Sequence, residues 1–205
     1  YFRLQEKSTG TYMNIYDNST HGKETRGGVN VTTKNESNDG QIFQFIESGT
    51  NYKLLSKTGY YITWAEWNVN ADSKENGADL TFEPTATELE YLINCAKGYF
   101  KIDDDKGTPS LGKFVYSDGA QSAAATWVLE EVVYYTVTAT AGEGGSVSPL
   151  TSTIEKGNNV TLTATADSDH RFVGWYNGET KVSEANPYEF AVTSNINYEA
   201  RFGEP

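Results

Sequence analysis

The chain has 205 residues, a single cysteine and a formal net charge of −12 at pH 7, which excludes an internal disulfide and a strongly basic surface. Residues 133–205 hold four Lys or Arg and nine Asp or Glu, leaving 12 and 19 for residues 1–132, so the acidic excess is shared. We therefore expect neither nucleic acid nor an anionic membrane as partner. No apolar run reaches the length of a membrane span.

A change in composition near Val132 predicts two domains, residues 1–132 and residues 133–205. The first is rich in Tyr, Phe and Trp, and the second in Thr, Val, Ala and Gly. The chain opens directly on a predicted strand without a signal peptide, so we expect it to be a segment of a longer protein.

The first domain carries a degenerate repeat with a period of roughly fifty residues. We place its three copies at Tyr1–Leu4, Tyr52–Leu55 and Tyr99–Ile102. Each copy is followed by a glycine turn, a second strand, a polar loop, a glycine-led strand (Gly28–Val31, Gly77–Leu80, Gly119–Gln121) and a closing apolar run (Phe43–Ile46, Leu89–Leu92, Trp127–Glu130). A unit of four short strands cannot bury its apolar face alone, so we expect the copies to share one core.

Nearly all of the chain reads as strand. Apolar and polar residues alternate in Thr11–Tyr16, Tyr135–Thr140 and Asn159–Thr165, and Asp-Gly and Asn-Gly turns separate the runs. The best helix candidate is a short stretch at Thr85–Tyr91. The pattern predicts an all-β chain, with the repeat closed into a barrel that is capped by hairpins.

The repeat resembles the ricin-type β-trefoil. The resemblance rests on Tyr12–Ile15, Gly28–Val31 and Asn38–Phe43, which follow the order of one lobe of that family. That family closes each lobe with Gln-x-Trp, and this chain has Gln41-Ile42-Phe43 in lobe one and Ala125-Thr126-Trp127 in lobe three. The resemblance implies a β-trefoil over about residues 1–132, in a family that commonly binds carbohydrate.

Residues 133–205 resemble the divergent internalin-type B repeat. The matching blocks, in order, are Gly144–Pro149, Lys156–Ala164, Phe172–Tyr176 and Ala200–Phe202. The resemblance implies a small β-grasp-like module that occurs in strings on bacterial surface and secreted proteins. From the residues alone, a core this small needs large aromatic anchors, and Trp175 is the first candidate.

The ricin-type resemblance also implies sugar-contacting positions, among which we predict Asn14 and Gln41. The family's binding aspartate is replaced in each lobe, so its sugar specificity does not carry over. The aligned positions are Asn14, Thr32 and Gly40 in lobe one, Thr63 in lobe two, and Ser110 or Leu111 in lobe three.

A second candidate sugar site lies in the predicted long loop of lobe two. It combines Trp64, Glu66, Trp67, Asn68 and Asp72. The apolar face of a sugar stacks on indole rings, while carboxylate and amide groups bond to its hydroxyls. The alternative is packing, with Trp64 inside the strand end and Trp67 covering the barrel rim.

The corresponding loop of lobe one carries Tyr16, Asp17 and His21, which could line a shallow sugar pocket. Turn chemistry alone also accounts for Asp17.

We predict no catalytic residue, no metal site and no cofactor. Asp103–Asp105 are consecutive carboxylates without the spacing of a calcium loop, and Ser168–His170 are too close in sequence for a triad. Gly142–Gly145 lacks the lysine of a phosphate loop, and Cys95 lies in an apolar run that suits a buried thiol. The acidic residues are too many to single out a glycosidase pair.

The sequence thus predicts a non-catalytic carbohydrate-binding or adhesion module of a secreted or cell-surface bacterial protein, with a glycan or polysaccharide as partner. The alternative is a structural or protein-docking region that contacts other domains of a larger secreted enzyme without binding sugar. A protease-inhibiting trefoil is a further alternative.

Overall fold

The computed structural model describes residues 1–16, 27–36, 38–65, 68–73, 75–108 and 112–205. These residues form two compact units, Tyr1–Glu131 and Val132–Pro205. Apart from two single 3-10 turns, at Asp39–Gln41 and Gln121–Ala123, every regular element described is a strand, which confirms the all-β prediction. No helix in these ranges is long and apolar enough to span a membrane.

The first unit forms one sheet of twelve strands. The strands are β1 Phe2–Glu6, β2 Tyr12–Tyr16, β3 Gly27–Thr32, β4 Phe43–Ser48, β5 Asn51–Ser56, β6 Tyr61–Ala65, β7 Asn68–Ser73, β8 Thr81–Pro84, β9 Glu90–Cys95, β10 Gly98–Thr108, β11 Gly112–Gly119 and β12 Thr126–Glu131.

Strands β1, β4, β5, β8, β9 and β12 pair in turn and close into a barrel. The other strands form the hairpins β2–β3, β6–β7 and β10–β11, and these hairpins also pair with one another. Each barrel strand β1, β5 and β9 runs toward the hairpins, so the hairpins lie at one end of the barrel. The opposite end, where β1, β5 and β9 begin, has no hairpin over it in the described residues.

Threefold symmetry is visible in the core. Three sets of equivalent side chains are fully buried: Leu4, Leu54 and Ile93 on the first strands, Met13, Ile62 and Phe100 on the second, and Phe43, Leu80 and Trp127 on or beside the fourth. Each lobe supplies one member of each set, so the three lobes share one core, as the repeat predicts.

The third copy of the repeat lies elsewhere than predicted. Tyr99–Ile102 belongs to β10, the second strand of lobe three, and the first strand is β9. The predicted closing run Leu89–Leu92 therefore opens lobe three instead of ending lobe two. A tyrosine-led apolar run occurs on both the first and the second strands, and this ambiguity explains the misplacement.

Two predicted glycine-led strands are also wrong. The third strand of lobe two is β7, which precedes Gly77–Leu80, and that of lobe three is β11, which ends where Gly119–Gln121 begins. The predicted helix at Thr85–Tyr91 is a turn followed by β9, because the Thr85 N–H donates to the Glu90 carbonyl across it.

The second unit contains β13 Tyr134–Ala141, β14 Gly145–Ser148, β15 Thr151–Glu155, β16 Asn159–Ala166, β17 Arg171–Asn177, β18 Thr180–Ser183, β19 Tyr188–Ala191 and β20 Ile196–Gly203. They form a five-stranded sheet in the order β15-β13-β20-β17-β18 and a three-stranded sheet in the order β14-β16-β19. The first and last strands, β13 and β20, pair in parallel inside the larger sheet, an arrangement in keeping with a β-grasp-like module.

Trp175 anchors the core of the second unit. It is fully buried, its ring centroid lies 5.7 Å from that of Phe172, and its indole N–H donates to the Ala185 carbonyl at 3.1 Å. Val160 and Leu162, on alternate positions of β16, point to the same core, as the alternation in the sequence predicts.

A polar network ties the second and last strands of the first unit to the loop after β3. The Tyr12 hydroxyl donates to the Glu130 carboxylate at 2.7 Å, and the Lys34 ammonium donates to the same carboxylate at 2.6 Å. Burial and the neighbouring Glu130 carboxylate raise the pKa of Tyr12 to about 12. Burial acts to raise the pKa of Glu130, but the hydrogen bonds from Lys34 and Tyr12 outweigh it and lower that pKa.

We expect Tyr12 to be among the last tyrosines to ionise. Its pKa is raised from 10.0 to about 12, so the stability that it contributes is complete below pH 10 and is lost as the pH rises from 10 to 12. Ultraviolet difference titration should show a late component that disappears in Tyr12→Phe and moves to lower pH in Glu130→Gln. A late component that persists in Tyr12→Phe would assign it to another tyrosine.

Candidate functional site

Asn14 lies inside lobe one and not on its surface. Its exposed fraction is 5%, its amide donates to the Asn30 side-chain oxygen at 2.8 Å, and its own oxygen accepts from the Asn38 amide at 2.8 Å. A Cβ atom on Gly40 would lie 2.6 Å from the Ile15 carbonyl oxygen, so this turn packs directly against β2.

Gln41 is likewise fully buried. Its oxygen accepts from the Asn35 N–H, and its amide donates to the Thr32 hydroxyl and the Thr33 carbonyl, each at 2.8 Å. The described contacts of Asn14 and Gln41 hold the loop of lobe one in place. A sugar contact of either residue stays a prediction.

The predicted long loop of lobe two is a hairpin. Trp64 lies on β6 and Asn68 and Asp72 on β7, and the two strands pair from Tyr61–Ser73 to Ala65–Asn68 with one register shift, between Tyr61 and Thr63. Glu66 and Trp67 lie outside the described residues.

Trp64 is half-buried and packs against the core of the first unit. The Lys97 ammonium lies 5.3 Å from the centroid of its ring. These contacts favour the packing interpretation of Trp64.

In lobe one, Tyr16 ends β2, whereas Asp17 and His21 lie outside the described residues. Among the residues that are described, no group of three acidic, His or Cys side chains could hold a metal ion. Cys95 is buried, as predicted.

An apolar concave surface lies at the end of the barrel that has no hairpin over it. Here the rings and side chains of the barrel strands enclose about 430 Å³. The lining residues are Phe2, Tyr52 and Tyr91 from β1, β5 and β9, Phe45, Phe82 and Leu129 from β4, β8 and β12, and Pro84. We call this surface the aromatic bowl.

The bowl is a further layer of the threefold core. Side chains two residues apart on a strand point to the same face. On each first strand, an aromatic residue lies two positions before a fully buried apolar residue: Phe2 before Leu4, Tyr52 before Leu54 and Tyr91 before Ile93. On each fourth strand, the bowl residue lies two positions after a fully buried residue: Phe45 after Phe43, Phe82 after Leu80 and Leu129 after Trp127. The buried core residues therefore lie directly behind the bowl. The residues that line the bowl form the last layer of the barrel and face its open end.

The aromatic rings of the bowl hold one another in place. The Phe45 centroid lies 4.9 Å from that of Phe82 and 5.2 Å from that of Phe2, and Phe82 lies 6.2 Å from Tyr91. All are edge-to-face pairs, an arrangement that stabilises aromatic clusters beyond their burial. The rings of the bowl thus support one another without a ligand.

Two side chains near the mouth remain open to solvent. Tyr52 is 38% exposed and Leu89 is 49% exposed. Leu89 has φ of 62°, the one non-glycine residue with positive φ in the described ranges, and its carbonyl accepts from the Leu129 N–H at 3.0 Å. A leucine held in this conformation costs on the order of 1–3 kcal/mol, and such strain is concentrated at binding sites.

The bowl carries two hydroxyl groups and no charged side chain. Neither Tyr52 nor Tyr91 uses its hydroxyl in a hydrogen bond among the described residues. An apolar pocket with a few available polar groups is the usual composition of a small-molecule site.

A second cleft of about 500 Å³ lies beside the turn after β1 and contains Glu6. The Glu6 carboxylate accepts hydrogen bonds from the N–H and hydroxyl groups of both Ser8 and Thr9, at 2.7–3.0 Å. Burial acts to raise the pKa of Glu6, but these hydrogen bonds outweigh it and lower that pKa. Glu6 thus stabilises the turn in its ionised form and is not a proton donor at neutral pH.

Sequence reasoning missed the bowl. Its signal was present, because an aromatic residue stands two positions before the central apolar residue of each first strand. The misplaced third copy concealed that regularity at Tyr91.

Comparison with known proteins bears on both units. Residues 135–204 match the family of the divergent InlB B-repeat domain, which confirms the predicted B repeat. A search of curated proteins finds no match. Among solved structures, the designed threefold-symmetric protein ThreeFoil aligns with a TM-score of 0.50 and 12% identity, over 63% of this chain and 97% of its own.

At that identity the likeness to ThreeFoil shows the fold alone. The predicted β-trefoil is confirmed, and the ricin-type assignment stays a prediction. The chain therefore joins a unit with a β-trefoil fold to a unit that matches the divergent InlB B-repeat domain.

Proposed function

We propose that this chain is a non-catalytic adhesion module of a secreted or cell-surface bacterial protein, and that its trefoil unit binds carbohydrate in the aromatic bowl. The observation that carries the proposal is an aromatic concavity of about 430 Å³ with two available hydroxyls. Sugar rings present an apolar face of C–H groups beside polar hydroxyls. The aromatic rings of the bowl suit the apolar face, and its two tyrosine hydroxyls suit the polar groups.

The second unit supports the adhesion part of the proposal. A match to a divergent InlB B-repeat domain favours a bacterial surface protein in which such domains extend a binding unit from its anchor. A non-enzymatic role accords with that match and with the ionised, hydrogen-bonded state of Glu6.

A second candidate function is docking of a protein segment in the bowl. The exposed Leu89 at its mouth favours this alternative, because an apolar rim suits an apolar side chain as well as a sugar. This function would make the chain an accessory region that contacts another domain of its parent protein.

Replacing Phe82 with alanine is expected to weaken glycan binding strongly. Phe82 contacts Phe45, Tyr52 and Tyr91 at the centre of the ring cluster, and loss of a central aromatic ring weakens binding by at least about tenfold. A glycan array followed by titration calorimetry measures the effect.

The matched control is Trp64→Ala, which removes an aromatic ring from the predicted lobe-two site and leaves the bowl intact. Binding lost in Trp64→Ala and kept in Phe82→Ala would place the sugar on lobe two. No binding of the wild-type chain to any glycan class would leave protein docking as the better proposal.

A further inference from the structure

We infer that the bowl receives the end of a glycan chain, and that the sugar residue entering it is not anionic and carries a methyl-bearing substituent such as an N-acetyl group or a 6-deoxy carbon. The inference rests on the proposed function and specifies its ligand. It follows from the shape of the bowl, its lining and the charges around it.

The shape of the bowl selects a chain end. Behind the lining residues lie Leu4, Leu54 and Ile93, all fully buried, so the bowl is closed on the side of the core and a ligand enters from the mouth. A polysaccharide that continues in both directions fits best along an open groove, whereas a concavity closed at its base suits a terminal residue. The volume of about 430 Å³ lies in the range of small-ligand sites.

The lining selects an apolar substituent. Seven residues line the bowl, and all but the two tyrosines lack a polar side-chain atom. A hydroxyl-rich sugar that filled this space would leave most of its hydroxyls without partners, at a cost for each one. A methyl group pointing toward the core gains from burial, while the hydroxyls of Tyr52 and Tyr91 can serve the polar side of the same sugar.

The surrounding charge selects against anions. Glu47 is paired in register with Tyr52, Glu131 with Phe2, and Glu88 precedes the exposed Leu89 at the mouth. All three carboxylates are exposed, and none makes an ion pair within the part of the chain that the structure describes. A sialylated, sulfated or uronic acid terminus would meet this field within about one Debye length and be repelled.

The test uses saturation-transfer NMR and titration of the full chain with methyl glycosides. The probes are N-acetylglucosamine, N-acetylgalactosamine and D-fucose (6-deoxy-D-galactose), their parents D-glucose and D-galactose, and the matching glucuronic and galacturonic acids. We expect a methyl-bearing sugar to bind roughly fivefold or more tightly than its parent hexose, with the strongest saturation on its methyl protons. Each uronic acid should bind more weakly than its parent hexose, and added salt should reduce this difference in affinity.

Two further measurements locate the site and the chain end. Tyr52→Phe removes only a hydroxyl that has no hydrogen bond in the described residues, so it should keep the stability and weaken binding by about threefold to tenfold. An oligosaccharide with the preferred sugar at its non-reducing end should bind, and the same oligosaccharide extended by one more hexose should not.

The outcomes separate this inference from the proposed function. Equal binding of extended and unextended oligosaccharides, or preference for a uronic acid, would overturn the inference while leaving glycan binding in the bowl intact. Binding that Tyr52→Phe and Phe82→Ala leave unchanged would overturn both.

Discussion

Replacing Trp175 with alanine is expected to unfold the second unit or leave it barely folded. Trp175 is fully buried at the centre of its core, and truncation of such a side chain costs about 3–5 kcal/mol. A domain of this size has a stability of only several kcal/mol. Urea unfolding followed by the amide NMR signals of residues 132–205 measures the effect, and those of residues 1–131 report on the first unit in the same sample.

Trp175→Phe is the matched control. It retains an aromatic ring beside Phe172 and removes the indole donor, so the Ala185 carbonyl loses its 3.1 Å hydrogen bond. We expect a loss of stability smaller than that of the alanine variant. An alanine variant that unfolds at the wild-type urea concentration would contradict the anchoring role of Trp175.

Replacing Trp127 with alanine should have an effect of similar size on the first unit. Trp127 is fully buried, it completes the set formed with Phe43 and Leu80, and its loss would leave a cavity in the shared core. We expect a cost of about 3–5 kcal/mol and signs of unfolding in all three lobes, because each lobe contributes to that core. Hydrogen exchange of the barrel amides measures whether the three lobes lose protection together.

Trp127→Phe distinguishes the two tryptophans. The indole N–H of Trp127 is buried and has no hydrogen-bond partner among the described residues, whereas that of Trp175 is bonded to Ala185. Removing an unbonded buried donor relieves a penalty of about 1–3 kcal/mol, which offsets part of the lost packing. Replacement by phenylalanine should therefore lower the free energy of unfolding less at Trp127 than at Trp175. A larger cost at Trp127 would show that packing of the indole dominates there.

Much of the fold could be predicted from the sequence because strand patterns are local. The alternation in Asn159–Thr165 appears unchanged as the buried Val160 and Leu162 of β16. The pairing of strands is not local, and this explains the error in lobe three. Tyr91 and Tyr99 both begin apolar runs, and only the closure of β9 against β12 shows which of them opens the lobe.

The candidate site was less accessible to sequence reasoning. The ricin-type resemblance drew attention to Asn14 and Gln41, yet their side chains are used inside lobe one. The bowl depends on residues from six strands that are far apart in the chain, so no short motif contains it. Its aromatic members resemble ordinary core residues until the end of the barrel is located.

The parallel pairing of β13 with β20 has a mechanical consequence. The chain enters the second unit at the start of β13 and leaves it at the end of β20, and these points lie at opposite ends of two adjacent strands. Tension applied along the chain would load the pairs from Val137–Ile196 to Ala141–Ala200 simultaneously in shear instead of opening them one at a time. A unit built this way should resist pulling along the chain.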